Sequence, residues 1–285
     1  MGRMALSAVP APSPRTQAGT AALASLLSDP EHAMLAFDFD GTLSPIVDDP
    51  EQAHASERSL QALERIGPCV GKLAVVTGRP VRTALRLGAF AEREGLAHLS
   101  ILGQYGAERW DAETGVESVP PPPEAVAEVR AALPALIDSL GLTGVRIEDK
   151  QRAVVLHTRG LPDPAGAQAI LEGPVAELAQ EHGLAAEPGR LVVEVRDPSV
   201  DKGGALRGLI SETGVRTIVF AGDDLGDLPA YEALTAMREG GDVEVLLVAV
   251  ASDEQTVLVP RADVVVHGPD ELADWLERLA DALGC

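Results

Sequence analysis

Short apolar runs, closed by polar or glycine-containing turns, alternate along this chain with stretches whose apolar residues recur every three or four positions. The runs 33–38, 72–76, 99–102, 217–221, 245–250 and 263–266 are too continuous for a sheet with one wet face. They predict strands buried on both sides, as in a parallel sheet. Helical spacing predicts helices over 56–66 (Leu60, Leu63 and Ile66 on one side), 80–87, 203–211, 228–237 and 270–283, with a short one over 21–27 ahead of the first strand. Strand and helix in alternation define the fold class as α/β, a doubly wound parallel sheet whose ligands collect beyond the carboxyl ends of the strands.

The pattern changes in the middle. Pro120 to Pro123 form a stiff run that suits a boundary. A helix over 124–140 follows, then two strands, 145–150 and 153–157, joined by a tight turn. A helix over 165–182, which Gly173-Pro174 should interrupt or kink, leads to a hairpin pairing 184–187 with 191–195. Segregated helices and hairpins are α+β, so the chain divides into a tail at 1–30, disordered over its proline-rich start, a core at 31–118 and 194–285, and an inserted α+β lid, or cap domain, at 119–193.

Composition narrows the partners. Of 285 residues, 46% are hydrophobic but only 3% aromatic, so the core must be aliphatic. A net charge of −21 excludes nucleic acid and anionic membrane as natural partners. It also means that an anionic substrate needs local cations or a metal. Lysine occurs only at 72, 150 and 202, which draws attention to each. No window is apolar enough to span a membrane. Two cysteines, Cys69 and Cys285, are too few for a disulfide framework, and with no secretory leader they point to the cytoplasm.

The candidate chemistry sits at the ends of the predicted strands. The first strand closes in Asp38-Phe39-Asp40-Gly41-Thr42, and period-2 geometry sends both carboxylates to one side. Buried carboxylates at a strand tip are costly unless something cationic meets them. Three further groups occupy comparable positions: Thr77-Gly78-Arg79, Lys202, and Asp223-Asp224-Leu225-Gly226-Asp227. Phosphoryl transfer requires a nucleophile, cations on the transferring oxygens, a proton source and usually Mg²⁺, and this set contains each. Hard oxygen donors without clustered His or Cys suit Mg²⁺ rather than zinc.

DFDGTL at 38–43, VVTGR at 75–79, the lysine of VDKGGAL at 200–206 and GDDLGD at 222–227 resemble, in order, the four motifs of haloacid-dehalogenase-like (HAD) phosphatases. GQYGAE at 103–108, IEDKQRAVVLHTR at 147–159 and LVVEVRDPSVDKG at 191–203 resemble the trehalose-6-phosphate phosphatases. The resemblance implies a HAD-like Rossmannoid core with a cap, and a Mg²⁺-dependent hydrolysis of a small-molecule sugar phosphate through an aspartyl-phosphate. It makes Asp38 the nucleophile and Asp40 the general acid/base, kept protonated by a neighbouring carboxylate, with Thr77 and Lys202 on the phosphate oxygens. It assigns Mg²⁺ to Asp38, the backbone carbonyl of Asp40 and Asp223, with Thr42, Asp224 and Asp227 behind them. Substrate contacts are expected at Gly78, Arg79, Gln104, Glu108, Glu148, Lys150 and Glu194, while His157 and Arg159 read as parts of a strand face. A functional link to a trehalose-6-phosphate synthase follows from the same resemblance. Sucrose 6-phosphate or glucosylglycerol phosphate are alternative substrates of such a core, and a non-catalytic domain that stores phosphate on Asp38 is the alternative from another class.

Overall fold

The computed structural model describes residues 13–252 and 256–285. The proline-rich start of the expected tail, residues 1–12, lies outside them. The described chain forms two compact units, one from the residues up to Ser118 together with Asp201–Cys285, the other Val119–Val200.

The first unit is built on an eight-stranded sheet. Its strands in chain order are β1 (Ala33–Phe37), β2 (Lys72–Val76), β3 (Leu99–Gly103), β4 (Glu108–Asp111) and β5 (Glu117–Ser118), and after the insertion those of 217–222, 244–251 and 264–267. In the second unit the strands are β6 (Arg146–Asp149), β7 (Ala153–His157), β8 (Ala185–Gly189) and β9 (Val192–Arg196), so those last three of the first unit are β10 (Thr217–Gly222), β11 (Glu244–Ala251) and β12 (Val264–His267). The sheet order is β12-β11-β10-β1-β2-β3-β4-β5, parallel from β12 to β3. β4 and β5 add antiparallel at the edge and were not legible in the hydrophobic pattern, being short and half polar.

β1 shows why continuous apolar runs read correctly as buried strands. Its alternate residues Leu35 and Phe37 enter one apolar cluster, and Met34 and Ala36 enter the other on the opposite face. The chain winds one way from β1 through β2 and β3, and the other way through β10 to β12. The reversal falls between β1 and β10, which pair directly, and this is where a doubly wound sheet opens a crevice.

Helices α1 (Gln17–Ser28), α2 (Glu57–Ile66), α3 (Val81–Gly88), α6 (Lys202–Thr213), α7 (Leu228–Gly240) and α8 (Gly268–Leu283) flank this sheet, while α4 (Glu124–Ser139) and α5 (Pro164–Glu181) belong to the second unit. α1 extends the short helix expected over 21–27 and buries Ala22 and Leu26, so this part of the expected tail is structured. Its anchor is Asp263, only 1% exposed, which accepts from the Leu247 backbone N–H (2.9 Å), from Arg238 (2.9 Å) and from the Thr16 hydroxyl. Asp263→Ala should therefore cost about 3 kcal/mol, since it strands a partly buried guanidinium and a buried N–H. Urea unfolding checks this.

α2 and α8 lie against each other, with Arg58 reaching Asp274 (2.5 Å) and Glu277 (2.9 Å), and Arg65 reaching Asp281 (2.7 Å). That pairing brings Cys69 to Cys285, and the two form a disulfide with Cα atoms 6.4 Å apart. Two separate thiols, the basis for a reducing compartment, are thus not what the fold contains. A separation of 216 residues hides such a pair from local sequence. No helix among the described residues is long and apolar enough to cross a membrane.

In the second unit, β6-β7-β9-β8 form an antiparallel sheet. Val154, Leu156, Val193 and Val195 pack with Val129, Leu133, Leu171 and Val175 of α4 and α5. β9 completes this sheet, so the second unit runs to Val200 rather than ending at 193. Of the interruption or kink expected at Gly173-Pro174, the interruption is absent: α5 runs through both residues as one helix. The carbonyl that Pro174 deprives of a donor belongs to Ile170, an exposed residue on the side open to solvent. Burial of Leu171, Val175 and Ala179 holds the remaining turns together.

Candidate active site

Four chain segments converge at the crevice. Asp38 and Asp40 follow β1, Thr77 to Arg79 follow β2, Asp223 to Asp227 follow β10, and Lys202 opens α6. The main chain of Asp38 is tied to β10 through its N–H, which donates to Ala221 O at 2.9 Å. Asp201 caps α6 by accepting from Gly204 N (2.7 Å), which sets Lys202 at the first helical position.

Lys202 is 4% exposed and its ammonium donates to Asp38 Oδ1 at 2.6 Å and to Asp227 Oδ1 at 2.7 Å. Burial works against its charge, but the two carboxylates outweigh it and hold the lysine well above its ordinary value. Asp227 is fully buried at 0% exposed. Its Oδ2 accepts from the backbone N–H of Asp223 (2.9 Å) and of Asp224 (3.4 Å), so both its oxygens are engaged in shaping the loop and holding Lys202. The carboxylate of Asp223, by contrast, has among the described residues one long hydrogen bond, from the Thr42 hydroxyl at 3.5 Å.

The charge in this pocket does not balance. Asp38, Asp223, Asp224 and Asp227 share a single ammonium, and the carboxyl groups respond. Burial, and then the charges of Asp38, Asp224 and Asp227, push Asp223 up to about 10. Burial likewise raises Asp38 well above its ordinary value although Lys202 opposes it, and burial raises Asp224. Carboxylate oxygens of Asp38, Asp223 and Asp227 lie within 4.8 Å of one another, a spacing that one divalent cation bridges. Gly41 makes room for this group. It has φ +77°, and a Cβ there would stand 2.2 Å from Asp223 Oδ2. Oxygen donors, surplus negative charge and a glycine that lets them approach all fit Mg²⁺.

Asp40 has a different partner from the one expected. Its side chain, 41% exposed, is gripped by Arg79, with Nε to Oδ2 at 2.6 Å and Nη2 to Oδ1 at 2.7 Å. Arg79 also donates to Pro50 O (2.9 Å) and lies over the Phe39 ring. Half-burial opposes the guanidinium's charge, and Asp40 more than offsets it, so Arg79 stays above its ordinary value.

Thr77 is buried, and its hydroxyl oxygen accepts from Arg79 N at 3.1 Å, which leaves its own proton to give to an anion. Behind it, Gln104 and Tyr105 adopt the left-handed region (φ 48° and 61°), and their N–H groups donate to Arg79 O and Thr77 O, each at 2.9 Å. Strain of this kind persists where surrounding structure enforces it. Here it props the Thr77–Arg79 turn, with the Tyr105 ring close against Gly78. Gln104 is buried in this prop. Glu108 is also buried, and its Oε2 accepts from the N–H of Val81 (2.7 Å), the first of α3. One oxygen of its carboxylate thus caps a helix, a role its place in the sequence did not reveal.

The remaining expected residues lie in the second unit, on the sheet face opposite its helices. Register places Glu148 of β6, Val155 of β7 and Glu194 of β9 in one row. Lys150 Nζ lies 3.5 Å from Glu194 Oε1. Glu148 has a partner that the linear sequence did not single out: His157 Nε2, at 2.6 Å from Oε2. The available signal was period-2 alternation, which puts 146 and 148 on the same face as 155 and 157 across the hairpin.

Comparison with known proteins bears on both units. The trehalose-phosphatase family model matches residues 36–259. A trehalose-phosphate phosphatase of Mycobacterium avium is 31% identical over 260 residues, covering 88% of this chain and 63% of the relative. The chain thus spans less than two thirds of the length of such curated relatives. Among solved structures, the C-terminal domain of a Candida albicans trehalose-6-phosphate phosphatase aligns with a TM-score of 0.70 at 20% identity, covering 96% of this chain and 99% of that one. A haloacid dehalogenase-like hydrolase from Bacteroides thetaiotaomicron aligns at 0.61 with 18% identity, covering 87% and 99%. These likenesses identify the fold as HAD-like α/β.

Proposed function

The chain belongs to the trehalose-phosphatase family, and from that premise we propose that it is a Mg²⁺-dependent phosphatase that hydrolyses trehalose 6-phosphate to trehalose and phosphate. The observation that carries this reading is the buried meeting of Asp38, Lys202 and Asp223 at the reversal of the sheet, with more carboxylates than cations.

Asp38 attacks phosphorus and the sugar oxygen leaves, forming an aspartyl-phosphate that water then cleaves. Lys202, fixed by Asp227, and the Thr77 hydroxyl, fixed by Arg79 N, bind phosphoryl oxygens and stabilise the charge that spreads over them. Gly78 and Arg79 flank this phosphate turn. Asp40 gives its proton to the leaving oxygen and then takes one from the attacking water. That role requires it to exchange Arg79 for the substrate, and its partial exposure suits such an exchange. Mg²⁺, held by Asp38, Asp223 and the Asp40 carbonyl, would neutralise phosphoryl charge as a Lewis acid. Asp224 and Thr42 stand behind these ligands.

The second unit serves in this reading as the cap, with Glu148, Lys150 and Glu194 as hydrogen-bonding partners for sugar hydroxyls. Phosphorylated sugars do not cross membranes unaided, so the cytoplasm is the location this substrate implies. It also implies an upstream enzyme that makes the glycosyl phosphate, a trehalose-6-phosphate synthase.

The test is phosphate release from trehalose 6-phosphate, sucrose 6-phosphate, glucose 6-phosphate and p-nitrophenyl phosphate with Mg²⁺. Preference for the trehalose ester, abolished by EDTA, is the expected result. Preference for another ester overturns the substrate, and no turnover of any overturns the enzyme. Gly41→Ala should lower kcat by about tenfold or more and weaken Mg²⁺ binding, because the added carbon forces φ out of the left-handed region or displaces Asp223. Titration of activity with Mg²⁺ checks it.

A further inference from the structure

The second unit's sheet holds three carboxylates in one row, Glu148, Glu194 and Glu187, and each has a basic neighbour, which for Glu187 is Arg196. Lys150 stands beside Glu194, whereas Glu148 is met by His157 Nε2 at 2.6 Å, with Arg146 farther off at 3.6 Å from the same oxygen. A lysine beside a carboxylate neutralises it. An uncharged imidazole fixes a carboxylate's direction and leaves its charge intact.

We propose that His157 is a positioning residue for sugar recognition: it donates Nε2–H to Oε2 of Glu148 and thereby aims Oε1 at a sugar hydroxyl. This rests on the sugar-phosphate reading above. No described residue donates to Glu148 Oε1, so that oxygen is available to an incoming hydroxyl. Strand geometry explains why a histidine reaches this carboxylate. Arg146 lies directly across from His157 and Glu148 across from Val155, so His157 meets Glu148 on the diagonal, within reach of a ring-bearing side chain.

The charge state agrees with this role. Burial lowers the His157 pKa below the ordinary imidazole value, and the positive charges of Arg146 and Lys150 add to it, against the pull of Glu148. The ring is then neutral at neutral pH, and a hydrogen bond to a carboxylate requires its one proton to sit on Nε2. Carboxylates aimed in this way bind polyols well, because an acceptor held in one direction loses little freedom when a hydroxyl arrives.

The experiment compares His157→Leu and His157→Gln, the second of which keeps an N–H donor near the Nε2 position. Hydrogen bonds to charged groups are worth about tenfold or more in affinity. His157→Leu should raise KM for trehalose 6-phosphate about tenfold with kcat within about twofold, and His157→Gln should recover most of the loss. Adding His157→Leu to Glu148→Gln should cost little more than Glu148→Gln alone, since both act through one contact. An unchanged KM in His157→Leu, a parallel fall of kcat, or no recovery with glutamine overturns the inference. A wild-type enzyme with no preference for trehalose 6-phosphate overturns instead the substrate reading, and does so before any substitution is made.

Discussion

Asp38→Asn should lower kcat for trehalose 6-phosphate by about 10⁴-fold or more while leaving the fold in place. Asparagine has nearly the same shape, and its carbonyl oxygen can still accept from Lys202, which donates to Asp38 at 2.6 Å. What it lacks is an anionic oxygen able to attack phosphorus. Losses on removing a nucleophile reach this scale, because the other groups have nothing left to assist. The fold should survive for an electrostatic reason. Asp38 is one of four carboxylates around one ammonium, and its removal relieves repulsion on Asp223. Single-turnover phosphate release and a thermal melt of the same sample check both parts. A variant retaining more than about one hundredth of the wild-type rate would mean that water attacks directly, with Asp38 only a binder.

The second large effect concerns the metal and pH. In the metal-free chain Asp223 is pushed up to about 10 by burial and by its acidic neighbours, whereas in the unfolded chain it titrates near an ordinary Asp value of about 3.9. Between those values the folded state keeps a proton that the unfolded state has released, so metal-free stability falls as pH rises across the window. Asp38 and Asp224 are raised and act in the same direction. A divalent cation replaces the proton as the compensating charge, so added Mg²⁺ should stabilise more at pH 8 than at pH 6. At 100 times its Kd the gain is about 2.7 kcal/mol, roughly 5–10 °C in Tm for a chain of this size. Asp223→Asn should flatten the pH slope and remove most of the Mg²⁺ shift. Melting curves with EDTA or Mg²⁺ at several pH values measure this, and an equal Mg²⁺ shift in wild type and Asp223→Asn would place the cation elsewhere.

Much of this was open to reading from residue order alone. Continuous apolar runs gave away β1, β2, β3, β10, β11 and β12, because a strand buried on both faces must be apolar throughout. The change to hairpins after Pro123 marked the second unit for a similar reason. The site groups 38–40, 77–79, 202 and 223–227 were visible because each follows a strand or opens a helix, and strand order alone brings such ends together. These features are local, and local periodicity and turn chemistry encode them.

Tertiary structure decided who pairs with whom. Asp40 takes Arg79 from the end of the neighbouring strand, and Glu108 turns under α3 to cap it. His157 aims at Glu148 because the hairpin register sets it on the diagonal. Cys69 finds Cys285 because α2 and α8 pack together. Pro174 stays within a helix because the buried side of α5 outweighs one lost bond on its wet side. Each of these depends on the approach of segments distant in the chain or on the balance of burial across a face. Residue order determines the elements and their exposed ends, while the choice of partner for a charged or capping side chain is made by whichever group the assembled fold brings within hydrogen-bonding distance.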